Sequence, residues 1–361
     1  MLDYKNPELR LHPSTFKAGQ VAWRSPSNIA LIKYWGKHGR QLPRNPSISF
    51  TLQNACTETL IKYELKEKES TGIELDFLFH QDPNEAFRAK MVKFLASITD
   101  IFPFLEQLKL SVQSGNSFPH SAGIASSASS MSALALCLCT IEDNLFSTLG
   151  DDKAFEQKAS FVARLGSGSA CRSIYSSLAA WGETPLLDGS SDLFAVPFQE
   201  SHAIFQSFQD DIMLVSQSEK SVSSRAGHAL MEDNPFAPAR YQQAKDRMAT
   251  LLDAMRSGDL ETFGEIVEDE ALSLHALMMA SKPSYMLMEP ATVEMIKQIR
   301  AYRADTGHPV YFSLDAGPNI HLLYPQEVIH EVRPWVDEVL APLCEQQSYL
   351  ADFVGEGPEE I

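Results

Sequence analysis

The sequence predicts an α+β fold, and three patterns carry that prediction. The first third of the chain holds short runs rich in β-branched and aromatic residues, broken by Pro, Gly and Asn. The second half holds long helical patterns at 237–256, 260–279 and 289–303. A strand-turn-strand segment at 309–324 then follows those helices, so strands and helices are grouped rather than wound as regular βαβ units.

In chain order, residues 1–19 read as a loose lead-in. Strands are expected at 21–23, 29–35, 48–52, 57–65 and 73–79. A helix follows at 83–97, with Asp82 as its candidate N-cap. Another strand is expected near 108–113. The Ser/Ala/Gly-rich stretch 114–130 runs into an apolar helix at 131–141, and a helix at 153–164 stops at Gly166, a C-cap signal. DIMLVS at 211–216 reads as a buried strand, and a last helix is expected at 327–343. A lobe boundary falls within 185–210, where Gly189, Ser190, Ser191 and Pro197 loosen the pattern. This divides the chain into lobes 20–200 and 201–345, with an acidic tail at 346–361 expected to be solvated. No internal repeat occurs.

Composition narrows the function. The 361 residues are 44% hydrophobic and 21% charged, a globular balance. Thirty Lys and Arg against 47 Asp and Glu give a formal charge of −17, which argues against wrapping nucleic acid or lying on anionic lipid while permitting a local basic pocket. The longest apolar run, 131–141, is short of the ~20 residues a bilayer demands. The opening MLDYKNPELRLHPS has no apolar signal core, so no export signal is expected. Five cysteines without a CxxC predict neither a disulfide framework nor a zinc site, and a cytoplasmic location; Cys137 and Cys139 read as core.

Four segments carry chemistry. FPHSAGIASSASS (118–130) puts small residues and the hydroxyls of Ser126, Ser127 and Ser129 at a helix N-terminus, where unpaired N–H groups and the helix dipole favour an anion. It is a phosphate cradle by physics, though no Walker loop, and a Ser/Ala loop feeding a tightly packed helix accounts for it equally well. In PSNIALIKYWGK (26–37), Lys33, Tyr34 and Lys37 near a strand end suit a polyanion; solvated lysines are the plainer reading. GSGSACR (166–172) sets Ser167, Ser169 and Arg172 about a glycine turn, and the Arg fork matches carboxylate or phosphate. DAGPN (315–319) is a tight turn, or else Asp315 is a general base held by nearby cations.

Taken together and in this order, NIALIKYWGK (28–37), FPHSAGIASSAS (118–129), ARLGSGSACRS (163–173), SSRAGH (223–228) and DAGPN (315–319) make the chain resemble the GHMP kinase superfamily and, within it, the mevalonate diphosphate decarboxylase family. The likeness spans 21 to about 340. His120 stands where many relatives carry a small hydroxyl residue, and Pro46 stands in place of a Ser. The resemblance implies the GHMP kinase fold, with a ribosomal protein S5 domain 2-like N-terminal lobe and a ferredoxin-like C-terminal lobe. It implies ATP-dependent decarboxylation of 5-diphosphomevalonate to isopentenyl diphosphate, with Mg2+, in a homodimer. Asp315, Lys33 and Arg172 fall at the catalytic positions. Asn28, Tyr34, Lys37, Ser167, Ser169, Lys220, Ser223 and Ser224 fall at substrate positions. Pro119, Ser121, Gly123, Ala125, Ser126 and Ser127 fall at ATP positions, with Ser126 and Ser127 toward the metal. Two other outcomes fit the same motifs: a sister GHMP activity on mevalonate 5-phosphate or a bare 3-kinase, and a catalytically silent nucleotide-binding scaffold.

Overall fold

The computed structural model describes residues 3–68, 70–118, 124–218 and 222–361. The chain begins with a long strand, β1 (Gly19–Ile32), a small hairpin of β2 (Lys37–His38) and β3 (Leu42–Pro43), and a second long strand, β4 (Ser47–Leu65). Then come β5 (Glu74–Phe79), β6 (Asp82–Pro83), α1 (Glu85–Ala96), β7 (Leu108–Asn116), α2 (Ser126–Phe146), α3 (Asp152–Gly166), β8 (Leu178–Trp181) and β9 (Ala195–Pro197). The second half runs β10 (Gln209–Met213), α4 (Ser224–Ala229), α5 (Ala237–Ser257), α6 (Leu260–Met279), α7 (Pro290–Thr306), β11 (Tyr311–Leu314), β12 (Ile320–Tyr324), α8 (Ile329–Trp335), β13 (Tyr349–Phe353) and β14 (Glu359–Glu360).

Two sheets organise these elements. The first has eight strands along the path β14-β1-β4-β7-β5-β6, with β8 and β9 added beside β4; only β5 and β7 run parallel. The second has four antiparallel strands in the order β11-β12-β10-β13. β1 and β4 are long because each serves two cores. Val21 and Ile61 join the cluster under α2 and α3. Ile29, Leu31, Ile48 and Phe50 join Phe208, Leu251, Met255 and Phe263 of the second half. The α+β expectation therefore holds, with strands longer than their sequence signals. The run at 21–23 and most of the run at 29–35 are one strand, which ends at Ile32 and leaves 33–35 outside it; 48–52 and 57–65 are also one strand. Pro26, which has no N–H to give the ladder, sits at a register shift between β1 and β4 rather than ending the strand.

α2 begins five residues before the expected 131 and is buried nearly all round, as its apolar, Ala- and Ser-rich sequence allows. Cys137 and Cys139 lie in its core, as expected. α1 is capped by Asn84, whose side chain accepts the Phe87 N–H; the expected cap, Asp82, lies in β6 instead. The last helix is broken. Pro334 sits inside α8, and a π turn (Val336–Leu340) and a 3-10 turn (Ala341–Leu343) follow, because a proline without an N–H interrupts the helical ladder. α4 and the strands β8, β9, β13 and β14 carried no recognised signal.

Both ends of the chain are corrections. The lead-in is docked rather than loose: Leu9 and Leu11 are buried, and Gln107 hydrogen-bonds both the N–H and the carbonyl of Leu11. The acidic end is no solvated tail. β13 completes the second sheet and β14 pairs with β1 of the first. Within β13 the buried Asp352 carboxylate accepts N–H bonds from Gln53, Asn54 and Ala55, and beyond it the Gly355 N–H reaches the Thr51 carbonyl. Backbone pairing outweighs the local charge that made this stretch read as solvated. Among the described residues no helix is long and apolar enough to cross a membrane.

The second sheet also buries Asp211, which accepts a hydrogen bond from the Tyr324 hydroxyl and has Arg333 at 3.7 Å. Burial outweighs both and pushes its pKa up from 3.8 to about 6. The folded state thus favours the protonated acid, so this contribution to stability is full below pH 3.8 and lost as pH rises through about 6. Asp211→Asn removes that dependence. The stability of the variant relative to wild type is expected to grow between pH 4 and 7 by up to about 3 kcal/mol, measured by denaturant titration. A constant difference across that range would refute the account.

Candidate active site

The end of β1 delivers Lys33 into the space between the two sheets. Its ammonium is 2% exposed and lies 3.0 Å from Asp315 Oδ1 and 2.8 Å from Ser313 Oγ. Ser313 lies on β11, and Asp315 opens the turn that joins β11 to β12, so the pair links the first sheet to the second. Burial pulls the Lys33 pKa down; Asp315, by charge and by hydrogen bond, and then Glu270 pull it back, while Arg172 pushes it lower. Asp315 itself is partly open, its side chain 26% exposed.

Arg172 lies in the 3-10 turn Gly168–Ile174 that follows α3, where a glycine loop was expected. The guanidinium is 1% exposed and held on three sides. Nε donates to Ser49 at 2.9 Å, Nη1 to Ser47 at 2.6 Å and Nη2 to Asn28 Oδ1 at 3.2 Å. Asn28 in turn donates to Ser173 Oγ and to the Ser169 carbonyl. Ser47 and Ser49 point the same way because residues two apart on a strand share a face. An arginine has five N–H donors. Among the described residues these contacts use one on each nitrogen and leave one on each Nη, a two-pronged grip for a planar anion.

The start of α2 is the third part. Ala125 is left-handed (φ 42°) and has no side chain with which to cap the helix, whose first turn carries no acidic residue. Ser127 Oγ is 3.2 Å from Ser167 Oγ, which joins this helix start to the GSGS turn. Pro119, His120, Ser121 and Gly123 lie outside the described residues, as does Lys220. The hydroxyls of Ser129 and Ser130 turn inward to the Ser126 carbonyl and so belong to the helix rather than to a ligand.

Tyr34, Trp35 and Lys37 are set by α4. His228 stacks between Tyr34 (4.4 Å) and Trp35 (4.5 Å), and its Nδ1 accepts the Gly36 N–H at 3.0 Å. Burial, then the nearby Lys37 charge, pushes the His228 pKa down to about 3, so the ring stays neutral and keeps its acceptor. The Tyr34 hydroxyl is buried with no hydrogen-bond partner among the described residues, and burial raises its pKa. Lys37 is half-buried and donates to Gln41, its pKa lowered by burial and by Arg225. Ser223 caps α4 through the Ala226 N–H, and Ser224 is the first residue of that helix. The structure thus gathers Lys33, Asp315, Arg172, Asn28 and Ser169 at one centre, with Tyr34, Ser167 and Ser127 beside it. Lys37, Ser223 and Ser224 stand on the α4 side. Sequence reasoning missed Ser47, Ser49, Ser313, Glu270, His275 and His228. The alternation of SISFTL pointed to Ser47 and Ser49 as one face of a strand, whereas Glu270 sits in a helical pattern with no local mark.

The two sheets, the helix start between them and the Lys–Asp pair define the class: this is the GHMP kinase fold. The sequence matches the diphosphomevalonate decarboxylase-like N-terminal domain over residues 25–192 and the mevalonate 5-diphosphate decarboxylase C-terminal domain over 212–357. The diphosphomevalonate decarboxylase of Candida albicans is 30% identical over 312 residues, 84% of this chain and 83% of that protein. The crystal structure of mevalonate diphosphate decarboxylase from Staphylococcus aureus is 28% identical with a TM-score of 0.81, over 96% of this chain and 98% of that one. A structure described as MDDEF in complex with MVAPP, AMPPCP and magnesium is 29% identical with a TM-score of 0.79, over 96% and 99%. The chain belongs to the diphosphomevalonate decarboxylase family.

Gly168 is a tight backbone approach in this site. A Cβ there would lie 2.8 Å from the Tyr34 ring and 2.9 Å from Trp181. Gly168→Ala is expected to destabilise the protein by about 1–3 kcal/mol and to change the fluorescence of the Tyr34–Trp181 pair. Gly150→Ala, where nothing lies within 4 Å, is expected to be neutral within about 0.5 kcal/mol. Equal thermal midpoints for the two variants would remove the packing argument.

Proposed function

We propose that this enzyme carries out the ATP-dependent decarboxylation of 5-diphosphomevalonate to isopentenyl diphosphate, ADP, phosphate and carbon dioxide, in the mevalonate pathway. The observation that carries the reading is the charge balance of the site. Two buried cations, Lys33 and Arg172, face one partly open carboxylate, Asp315. Burying charge without full compensation costs several kcal/mol, which a silent scaffold has no reason to keep. An anionic substrate with its own carboxylate completes the balance.

The chemistry follows from the groups. A tertiary alcohol leaves poorly, so the C3 hydroxyl is first phosphorylated. Asp315 accepts or orients that proton, with Lys33 as its counter-ion at 3.0 Å. Arg172, braced by Ser47, Ser49 and Asn28, grips the substrate carboxylate with its two remaining N–H groups until carbon dioxide leaves. Loss of phosphate passes through a cation-like C3, and the space between the two sheets keeps water from it. Tyr34, Lys37, Ser167, Ser169, Lys220, Ser223 and Ser224 hold the diphosphate end.

The cofactors are ATP and Mg2+. The start of α2 fits the nucleotide: an uncapped first turn without acidic residues presents N–H groups to phosphate. Among the described residues no group of three or more His, Cys, Asp or Glu is arranged so that it could hold a metal ion. The donor set thus suits a hard cation held by phosphates and the hydroxyls of Ser126 and Ser127, which neutralises charge on the transferring group. Residues 20–200 form the ATP-binding lobe and 201–345 the second lobe. The enzyme works in the cytoplasm as a homodimer.

The test is labelled carbon dioxide release and ADP formation, with mono- and diphosphomevalonate as substrates. Wild type is expected to release carbon dioxide only with ATP, and faster from the diphosphate. Asp315→Asn keeps the shape and loses the base, and turnover is expected to fall ~10²–10⁴-fold with substrate binding largely kept. Release without ATP, or near-normal turnover of the variant, would sink the reading.

A further inference from the structure

α6 touches both ends of the Lys33–Asp315 pair. Glu270 Oε2 accepts the Lys33 backbone N–H at 2.9 Å, and His275 Nε2 donates to the Asp315 carbonyl at 3.0 Å. The two anchors are five residues apart on one helix, about 7.5 Å along its axis. The helix therefore acts as a gauge between a strand end of the first sheet and a turn of the second.

Glu270 is an unusual residue for that place. It is fully buried, with a relative exposure of 0%. Arg240 reaches it with two nitrogens, Nη1 at 2.8 Å and Nη2 on the other oxygen, and Arg247 Nη1 lies 2.9 Å from Oε1. Arg247 also holds the exposed Asp269 at 2.9 Å. A buried ion pair of this kind is a poor stabiliser compared with apolar residues of the same volume. Two arginines spent on one carboxylate suggest a demand beyond packing. That demand is visible at its remaining contact, Lys33.

We propose that Glu270 is a positioning residue of the decarboxylase: it fixes the backbone of Lys33 as that residue leaves β1, and its charge helps to keep the Lys33 ammonium protonated against Asp315. The inference rests on the reading of Lys33 and Asp315 as the pair at the reacting centre. Among the described residues three charged groups face Lys33: Asp315 from the turn after β11, Arg172 from the turn after α3 and Glu270 from α6. Arg240 and Arg247 of α5 stand behind Glu270, and His275 of α6 stands behind Asp315. Of the neighbours that favour the charged ammonium, Glu270 is the one not committed to substrate chemistry. Removing its charge leaves burial and Arg172 with less opposition, so Lys33 loses its proton at lower pH.

The experiment is the pH profile of kcat and kcat/KM for wild type, Glu270→Gln, Glu270→Asp and the double variant Glu270→Gln with Arg240→Gln, together with their thermal midpoints. Glu270→Gln keeps an acceptor for the Lys33 N–H and loses the charge. Its alkaline limb is expected about one pH unit below that of wild type, a roughly tenfold loss of activity on that limb, with a smaller change at lower pH. The double variant removes a charge of each sign; if the single variant fails to fold, the double variant carries the test with a smaller expected shift in the same direction, because loss of the more distant Arg240 charge offsets part of it. Glu270→Asp keeps the charge but draws the carboxylate back from the Lys33 N–H, so the limb is expected to stay and kcat to fall. A Glu270→Gln or double-variant profile that superimposes on wild type, with only a lowered thermal midpoint, overturns the proposal and leaves Glu270 as a core ion pair. Lys33→Met separates the levels. If it is inactive while the Glu270 profiles are unshifted, only this inference fails. If it turns over normally, the reading of the site fails with it.

Discussion

The ion pair between Lys33 and Asp315 is the constraint around which the rest of the molecule is arranged. Lysine is costly to bury, and here it is buried at the junction of two sheets that are built from distant parts of the chain. Neither sheet can shift against the other without parting the ammonium from its carboxylate. The long strands β1 and β4 follow from this. They must reach from the core beneath α2 and α3 down to the Phe-rich core of the second half, and Lys33 leaves β1 at that far end. The α6 anchors and the serines that brace Arg172 are further expressions of the same requirement, that cations be held still where water is scarce.

The overall charge and the site charge point in opposite directions. A chain with a formal charge of −17 concentrates cations where its substrate is anionic and spreads its acids over the surface. The neutral His228 shows the same economy. It stacks between Tyr34 and Trp35 and accepts a backbone N–H without adding a charge beside Lys37.

Much of this was legible in the sequence, for identifiable reasons. The class of fold followed from how strands and helices are grouped. Lys33, Arg172, Asn28 and Asp315, which the fold brings together, stood out because each sits in a short run whose residue types and order are distinctive. What escaped was long-range. The pairing of β14 with β1 joins residues more than three hundred positions apart, and nothing in GEGPEEI announces a partner. Glu270 and His275 sit among ordinary helical residues, and their meaning comes only from what the fold brings opposite them. Pro26 misled in the other direction. It reads as a break, yet a register shift lets the strand continue. Asp82 and Asn84 are both good caps, and the choice between them was set by where β6 ends.

The closing strands bear on how the protein is made. β13 and β14 follow every other described strand in chain order, yet one completes the second sheet and the other borders the first. The Asp352 carboxylate that grips residues 53–55 arrives only after everything it grips. Until then the nascent chain presents two sheets with open edges, at β1 and at β10. Such edges invite pairing with other chains, and contacts of this sequence separation form slowly. The newly made protein therefore passes through an interval in which most of its core exists while the edges of β1 and β10 are still uncovered, the kind of surface on which partly folded chains associate.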